Sequence, residues 1–304
     1  MKKNLLSTIK KDIRRNWSLY LVILPVVTFY FLFSYKPMYG ALIAFQDYRP
    51  AQGFGKNWVG FKHFERFFSN PFFFRLLKNT LVINITATIF GFPAPIILAL
   101  LLNELKSKKF LTLSQTFMYL PHFISTVIIC SILVQFSLSD GLFNDILVLF
   151  GRPRGSLLQD SAAYVPLYVG SGIWQDFGWS SIIYVAALAG VDSQLYDAAS
   201  VDGAGKWKQM IHVTLPGIAP TIIIKLILTV GSMMNIGYEK VLLLYNPTIY
   251  DVADVISTYV YRYGIESQQW SYSSAVGLFN SAVNVILVTA ANKISRKMSE
   301  TSLW

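Results

Sequence analysis

Apolar residues run along this chain in long blocks separated by short polar stretches. Six blocks are long enough to cross a bilayer as helices, which takes about 20 residues each. They fall at about 17–35, 73–102, 111–136, 165–190, 217–244 and 270–291. Several are interrupted: Asn84, Pro93 and Pro95 lie in the second, Pro121 near the start of the third, Gly231 and Gly237 in the fifth. A helix bundle tolerates such residues because its neighbours satisfy the freed backbone groups. The pattern predicts an all-α membrane protein of six transmembrane helices. It leaves no room for a soluble domain of useful size and shows no tandem repeat.

Composition agrees. The 304 residues are 54% hydrophobic and 14% charged, where a soluble domain carries about a quarter charged residues. The net charge of +10 reads as basic loops held against anionic lipid. The basic residues form no aromatic-interleaved patch, so nucleic acid is not expected as a partner. Cys130 is the one cysteine, which excludes an intramolecular disulfide, and no Cys/His cluster suggests a metal. The opening MKKNLLSTIKKDIRR resembles the basic region of a signal peptide. The apolar stretch that follows is long and lacks a small-residue cleavage site, so a retained first span is expected.

Charge sets the predicted orientation. Lys2, Lys3, Lys10, Lys11, Arg14 and Arg15 precede the first span, and Lys293, Arg296 and Lys297 follow the sixth. Lys106, Lys108 and Lys109 follow the second span, Lys206 and Lys208 the fourth. All fall on one side, taken as cytoplasmic, so both termini are expected inside. Residues 1–16 then form a cytoplasmic segment, 17–292 the membrane domain and 293–304 a cytoplasmic tail. The first outer loop, 36–72, departs from the rule with Lys36, Arg49, Lys56, Lys62 and Arg66. Its aromatics, Tyr39, Phe45, Tyr48, Trp58 and Phe61 among them, suit an interfacial belt or an outer docking or lid surface.

Residues 191–216 are a cytoplasmic loop on this topology. Asp197-Ala198-Ala199 is expected to start a short helix, and Asp202-Gly203 to turn the chain. A second amphipathic piece, 205–214, is expected to end at Leu215-Pro216. The pattern D-A-A-x-x-D-G-A followed by I-x-x-x-L-P resembles the cytoplasmic EAA coupling motif of permease subunits of ABC importers. Asp197, Ala198, Ala199, Asp202, Gly203, Ala204, Ile211, Leu215 and Pro216 carry the match. Asp197 stands where the family usually has Glu. SYKPMYGALIAFQDYRP and GYEKVLLLYNPTIYDVADVISTYVYRYG resemble the subgroup serving oligosaccharides and polysaccharides.

The resemblance implies the type I importer permease fold and a partnership. A second homologous permease would complete the path, and two cytoplasmic ABC ATPases would grip the coupling helices. An extracellular solute-binding protein would deliver the oligosaccharide. The expected location is a bacterial cell membrane, multi-pass. No G-x-x-x-x-G-K-[ST] loop occurs, and G-A-G-K at 203–206 has the wrong spacing. No cofactor is expected on this chain; Mg-ATP would be used by the partner ATPase, and no catalytic residue is expected here.

Polar groups inside spans are costly and so are candidates for the substrate path. They are Asn84, Gln135, Trp174, Asp176, Asn235, Tyr238, Glu239, Asn280 and Asn284. Hydrogen-bonding side chains beside aromatic faces are what a sugar ring needs. Each lone Asn or Gln equally suits an interhelical hydrogen bond. Glu239 equally suits an ion pair with Lys240 or an outer-loop arginine. His122 reads as the cap of a kink after Pro121; His63 and His212 show no partner. A secondary transporter or channel for a small polar solute would predict matched inverted repeats, which are not apparent. A membrane enzyme would need convergent groups such as H-E-x-x-H, and only three histidines exist.

Overall fold

The computed structural model describes residues 11–298 and 301–304. Lys2, Lys3 and Lys10 of the basic N-terminal cluster lie outside the described residues. Helices make up the fold, with one isolated antiparallel bridge between Gln46 and Trp58.

The first helix, α1, runs Trp17–Phe45, well beyond the expected end at 35. Pro25 and Pro37 remove amide donors, and a π turn at Phe31–Tyr35 carries the chain onward. No residue of its apolar window is buried against the rest of the chain. Helix α2, Lys62–Phe68, leads into α3, Phe73–Asn103.

The third apolar block is not one straight helix. Helix α4, Lys108–Phe123, and α5, Thr126–Phe136, meet at 91°. Pro121 tightens the end of α4, and the extended Ser125 caps α5 by accepting from the Ile128 amide. Helix α6 spans Leu142–Leu149 and α7 Ser161–Ala189, capped by Asp160. Helix α8 is Ser193–Val201.

Helix α9, Lys206–Gly231, passes through Leu215-Pro216 without stopping. A π turn at Met210–Thr214 takes up the proline, which sits at the second position of the next helical stretch, where a missing N–H costs nothing. The fifth block breaks instead at 232–237 before α10, Tyr238–Leu244. Helices α11, Tyr250–Ala253, α12, Ile256–Tyr261, and α13, Trp270–Met298, complete the chain.

Among the described residues, four helices are long and apolar enough to cross a membrane, or five if the bent pair counts as one span. Helix α7 has the length, 29 residues, but is more polar.

Helix α7 is the centre of the bundle. Buried Tyr184 and Leu188 pack with Ala99 of α3 and Ile218 of α9. Tyr164 packs with Ile83, Ile129 and Val241. Phe67, Leu76, Met234, Tyr259 and Tyr272 fill a second core that ties α13 to α3. At Gly178 the end of α4 comes so close that a β-carbon would lie 1.8 Å from the Met118 carbonyl oxygen.

Candidate functional site

The break at 232–237 gathers four of the predicted path residues. Where a helix stops inside a bundle, its last carbonyls lose their donors. Asn84 of α3 donates from Nδ2 to the Met233 carbonyl oxygen at 2.6 Å. From α13, Asn284 Oδ1 accepts from the Met234 amide at 3.0 Å. Asn280 and Asn284 both donate to Asn235 Oδ1, at 3.0 and 2.9 Å. Asn84, Asn235, Asn280 and Asn284 therefore clasp the break between three helices. Buried Asn280 Oδ1 has no partner of its own.

Beside the break lies a cavity of about 430 Å³, lined by Tyr168, Gln175, Asp176, Glu239 and Lys240 among others. Lys240 donates to the Tyr168 carbonyl oxygen at 2.9 Å and sits 4.7 Å over the Tyr168 ring. The alternative of an ion pair between Glu239 and Lys240 is not realised. Adjacent positions on one helix point about 100° apart, and among the described residues no ion pair includes Glu239. Asp176 is paired instead with His122, Nδ1 to Oδ1 at 2.9 Å. The imidazole stacks on Trp179, ring centres 4.6 Å apart. His122 is thus a cavity-side partner of Asp176 rather than a simple kink cap. The sequence hid this contact, because 54 residues separate the two.

A second cavity of about 230 Å³ adjoins the first, sharing Ala87, Gly91 and Ser180. Asn84, Tyr184, Lys225 and Asn235 line it. Lys225 was missed as a candidate, though a lysine within TIIIKLILTV was the available signal.

The other predicted path residues lie elsewhere. Trp174 lines an apolar cavity with Ile129 and Phe136. Tyr238 stacks on Tyr261, ring centres 5.2 Å apart. Gln135 is exposed.

The 191–216 loop is a compact helical hairpin. Helix α8 starts earlier than expected: Asp192 caps it, accepting from the Gln194 amide at 2.9 Å, and Asp197 lies mid-helix. Asp192 wins because its extended backbone lets the carboxylate reach back to the first turn. Asp202 ends the helix and Gly203 turns the chain with φ +74°, a conformation glycine adopts without strain. The Ala204 amide closes onto the Ala199 carbonyl oxygen at 2.8 Å.

Gln209 locks the hairpin from inside, donating to Ser200 Oγ and the Ala204 carbonyl oxygen at 2.9 and 3.0 Å. Tyr196 and Thr214 join the two arms through their hydroxyls at 3.0 Å. Asp197, Ala198, Asp202, Gly203, Ile211 and Pro216 are exposed, while Ala199, Ala204 and Leu215 are half-buried. The tip also exposes Val201 at 88% and Trp207 at 71%, two apolar residues that the motif did not single out.

Two histidines differ from expectation. His63 is buried and pairs with Asp47 at 3.0 Å, across a loop closed by the Gln46–Trp58 bridge. His212 Nδ1 lies 3.0 Å from the Lys208 carbonyl oxygen, one helical turn back. The His63 partner is brought near by loop folding that periodicity does not encode, whereas the His212 contact is the i to i−4 spacing of the helix itself.

Residues 91–300 match the family described as binding-protein-dependent transport system inner membrane component. The chain belongs to this family. It is a multi-pass inner-membrane permease component of such a system, not a secondary transporter or channel. Among its relatives is the polygalacturonan/rhamnogalacturonan transport system permease protein YteP of Bacillus subtilis. That protein is 47% identical over 94% of this chain and 90% of its own length. Protein LplB of the same organism is 46% identical over 96% and 92%.

A solved structure of a bacterial ABC transporter involved in the import of the acidic polysaccharide alginate superposes with a TM-score of 0.87. Identity is 41%, over 96% of this chain and 99% of that one. The same figures hold for the bacterial alginate transporter in complex with an alginate pentasaccharide-bound periplasmic protein. The fold is that of an ABC importer permease.

Proposed function

We propose that this chain pairs with a second, homologous permease to form the translocation path for an oligosaccharide handed over by an extracellular binding protein. The relatives above, whose names specify polygalacturonan, rhamnogalacturonan and alginate, support that substrate class. In this reading the chain crosses the bilayer six times with both termini in the cytoplasm. The segments 1–16 and 293–304 flank a membrane domain at 17–292. Helix α7 is the span that polarity disguises, and the bent pair α4–α5 is another.

The hairpin at 191–216 docks in a cleft on one of two cytoplasmic ATPases, which bind and hydrolyse Mg-ATP; this chain binds no cofactor and catalyses no reaction. The observation that carries the assignment is the hairpin tip. Small Ala198, Gly203 and Ala204 allow close approach, and exposed Val201 and Trp207 supply apolar area that water alone does not favour. Asp197 and Asp202 offer carboxylates to donors in the cleft.

The test is purification of the tagged chain in mild detergent. The wild type retains a second permease and an ATPase. Gly203→Asp yields a folded permease that loses the ATPase; equal retention by both would sink the docking assignment.

A further inference from the structure

We propose that Lys225 and Tyr184 form an anion-binding subsite inside the membrane domain, which takes the carboxylate of an acidic, uronate-bearing oligosaccharide in transit. This rests on the path reading above and narrows its substrate class.

Lys225 lies in the apolar run of α9, six residues before the helix ends at Gly231. A cation in a span is expensive unless something faces it. Among the described residues, none engages its ammonium. It lines the second cavity, whose lining contains no Asp or Glu. Tyr184 lines the same cavity; it is 1% exposed, and its hydroxyl has no hydrogen-bond partner. Buried hydroxyls are rarely left so. The lysine and the unpartnered hydroxyl belong to the lining of one space, and Thr229 and Ser232 edge it. A carboxylate would satisfy both.

The first cavity differs. There Lys240 is already engaged by the Tyr168 carbonyl oxygen, and Asp176 and Glu239 add negative charge. Because the two cavities share Ala87, Gly91 and Ser180, a sugar leaving the first meets the free lysine next. A neutral sugar would leave that charge uncompensated, whereas a uronate brings its own counterion.

The test uses the complex purified with its partner subunits in lipid nanodiscs. Equilibrium binding is measured for tri-galacturonate and for its methyl ester. The wild type should prefer the free acid by about tenfold or more, the worth of one charge-assisted hydrogen bond. Lys225→Met should abolish the preference, Lys225→Arg should keep it, and Tyr184→Phe should reduce it severalfold.

Three results would overturn the subsite. The first is no preference in the wild type. The second is a preference that survives Lys225→Met. The third is a Lys225→Met complex that falls apart while Lys225→Arg holds, which would make Lys225 the counterion of a partner subunit. Failure of the importer reading itself would show separately, as wild-type ATP hydrolysis that no sugar-loaded binding protein stimulates.

Discussion

Asn84 donates to the carbonyl oxygen of Met233, 149 residues further along the chain. A helix from the second apolar block thereby completes the backbone of a break in the fifth. Asn84→Leu leaves that carbonyl without a donor. An orphaned buried group costs about 1–3 kcal/mol, more than the roughly 0.6 kcal/mol average for hydrogen bonds between membrane helices. The expected result is a melting temperature of the purified complex lowered by several degrees, with Asn84→Gln recovering part of it. An unchanged melt for Asn84→Leu would show that the clasp is dispensable.

Gly178 marks the tightest approach at any glycine of the chain. Gly178→Ala would drive a methyl group against the Met118 carbonyl oxygen, at 1.8 Å. Neither partner is a flexible side-chain end, so the bend between α4 and α5 must shift. Expression of Gly178→Ala should yield little monodisperse complex on size exclusion. Gly190→Ala, whose nearest contact would be 3.4 Å, serves as the control and should behave as wild type. Equal yields would mean that the bend is pliable.

The hairpin tip invites a pair of opposite tests. Val201→Asp puts a charge into the proposed cleft and should abolish ATPase retention without lowering the permease's own melting temperature. Gly203→Asn should retain more ATPase than Gly203→Val, because asparagine tolerates positive φ and a β-branched residue does not. Identical retention by the two would show that the turn's backbone geometry is not what the ATPase reads.

The loop that joins Asp47 to His63 carries a pH dependence of known sign. The hydrogen bond from Lys62 holds the Asp47 carboxyl below its usual value against an opposing burial cost, with the charges of Lys62 and His63 adding to the lowering. A depressed carboxylate stabilises above its unfolded value and loses that contribution as pH falls through the folded one. The melting difference between wild type and Asp47→Asn should thus be full at about pH 6 and close as pH drops below about 4. A difference constant across that window would remove Asp47 as its source.

The sequence conveyed what depends on neighbours along the chain. Apolar blocks marked the helices, Asp202-Gly203 marked the turn, and the D-A-A-x-x-D-G-A pattern marked the loop. What depended on distant partners stayed hidden. Residues 217–244 read as one span because Gly231 and Gly237 are too few to signal a break. Three asparagines from α3 and α13 hold that break open. Leu215-Pro216 looked like a stop because a π turn that absorbs a proline leaves no mark in composition. The pairing of Asp176 with His122 stayed hidden because 54 residues separate them and only the packing of α4 on α7 joins them.

Helix α1 has a consequence for the subunit before it is assembled. Its apolar window buries nothing against its own chain, and the family match begins only at residue 91. Substitution along it is then constrained by what lies outside the chain, not by internal volume. Truncating the apolar side chains of that window one at a time should therefore leave the packing of the other helices untouched, because none of them rests on it.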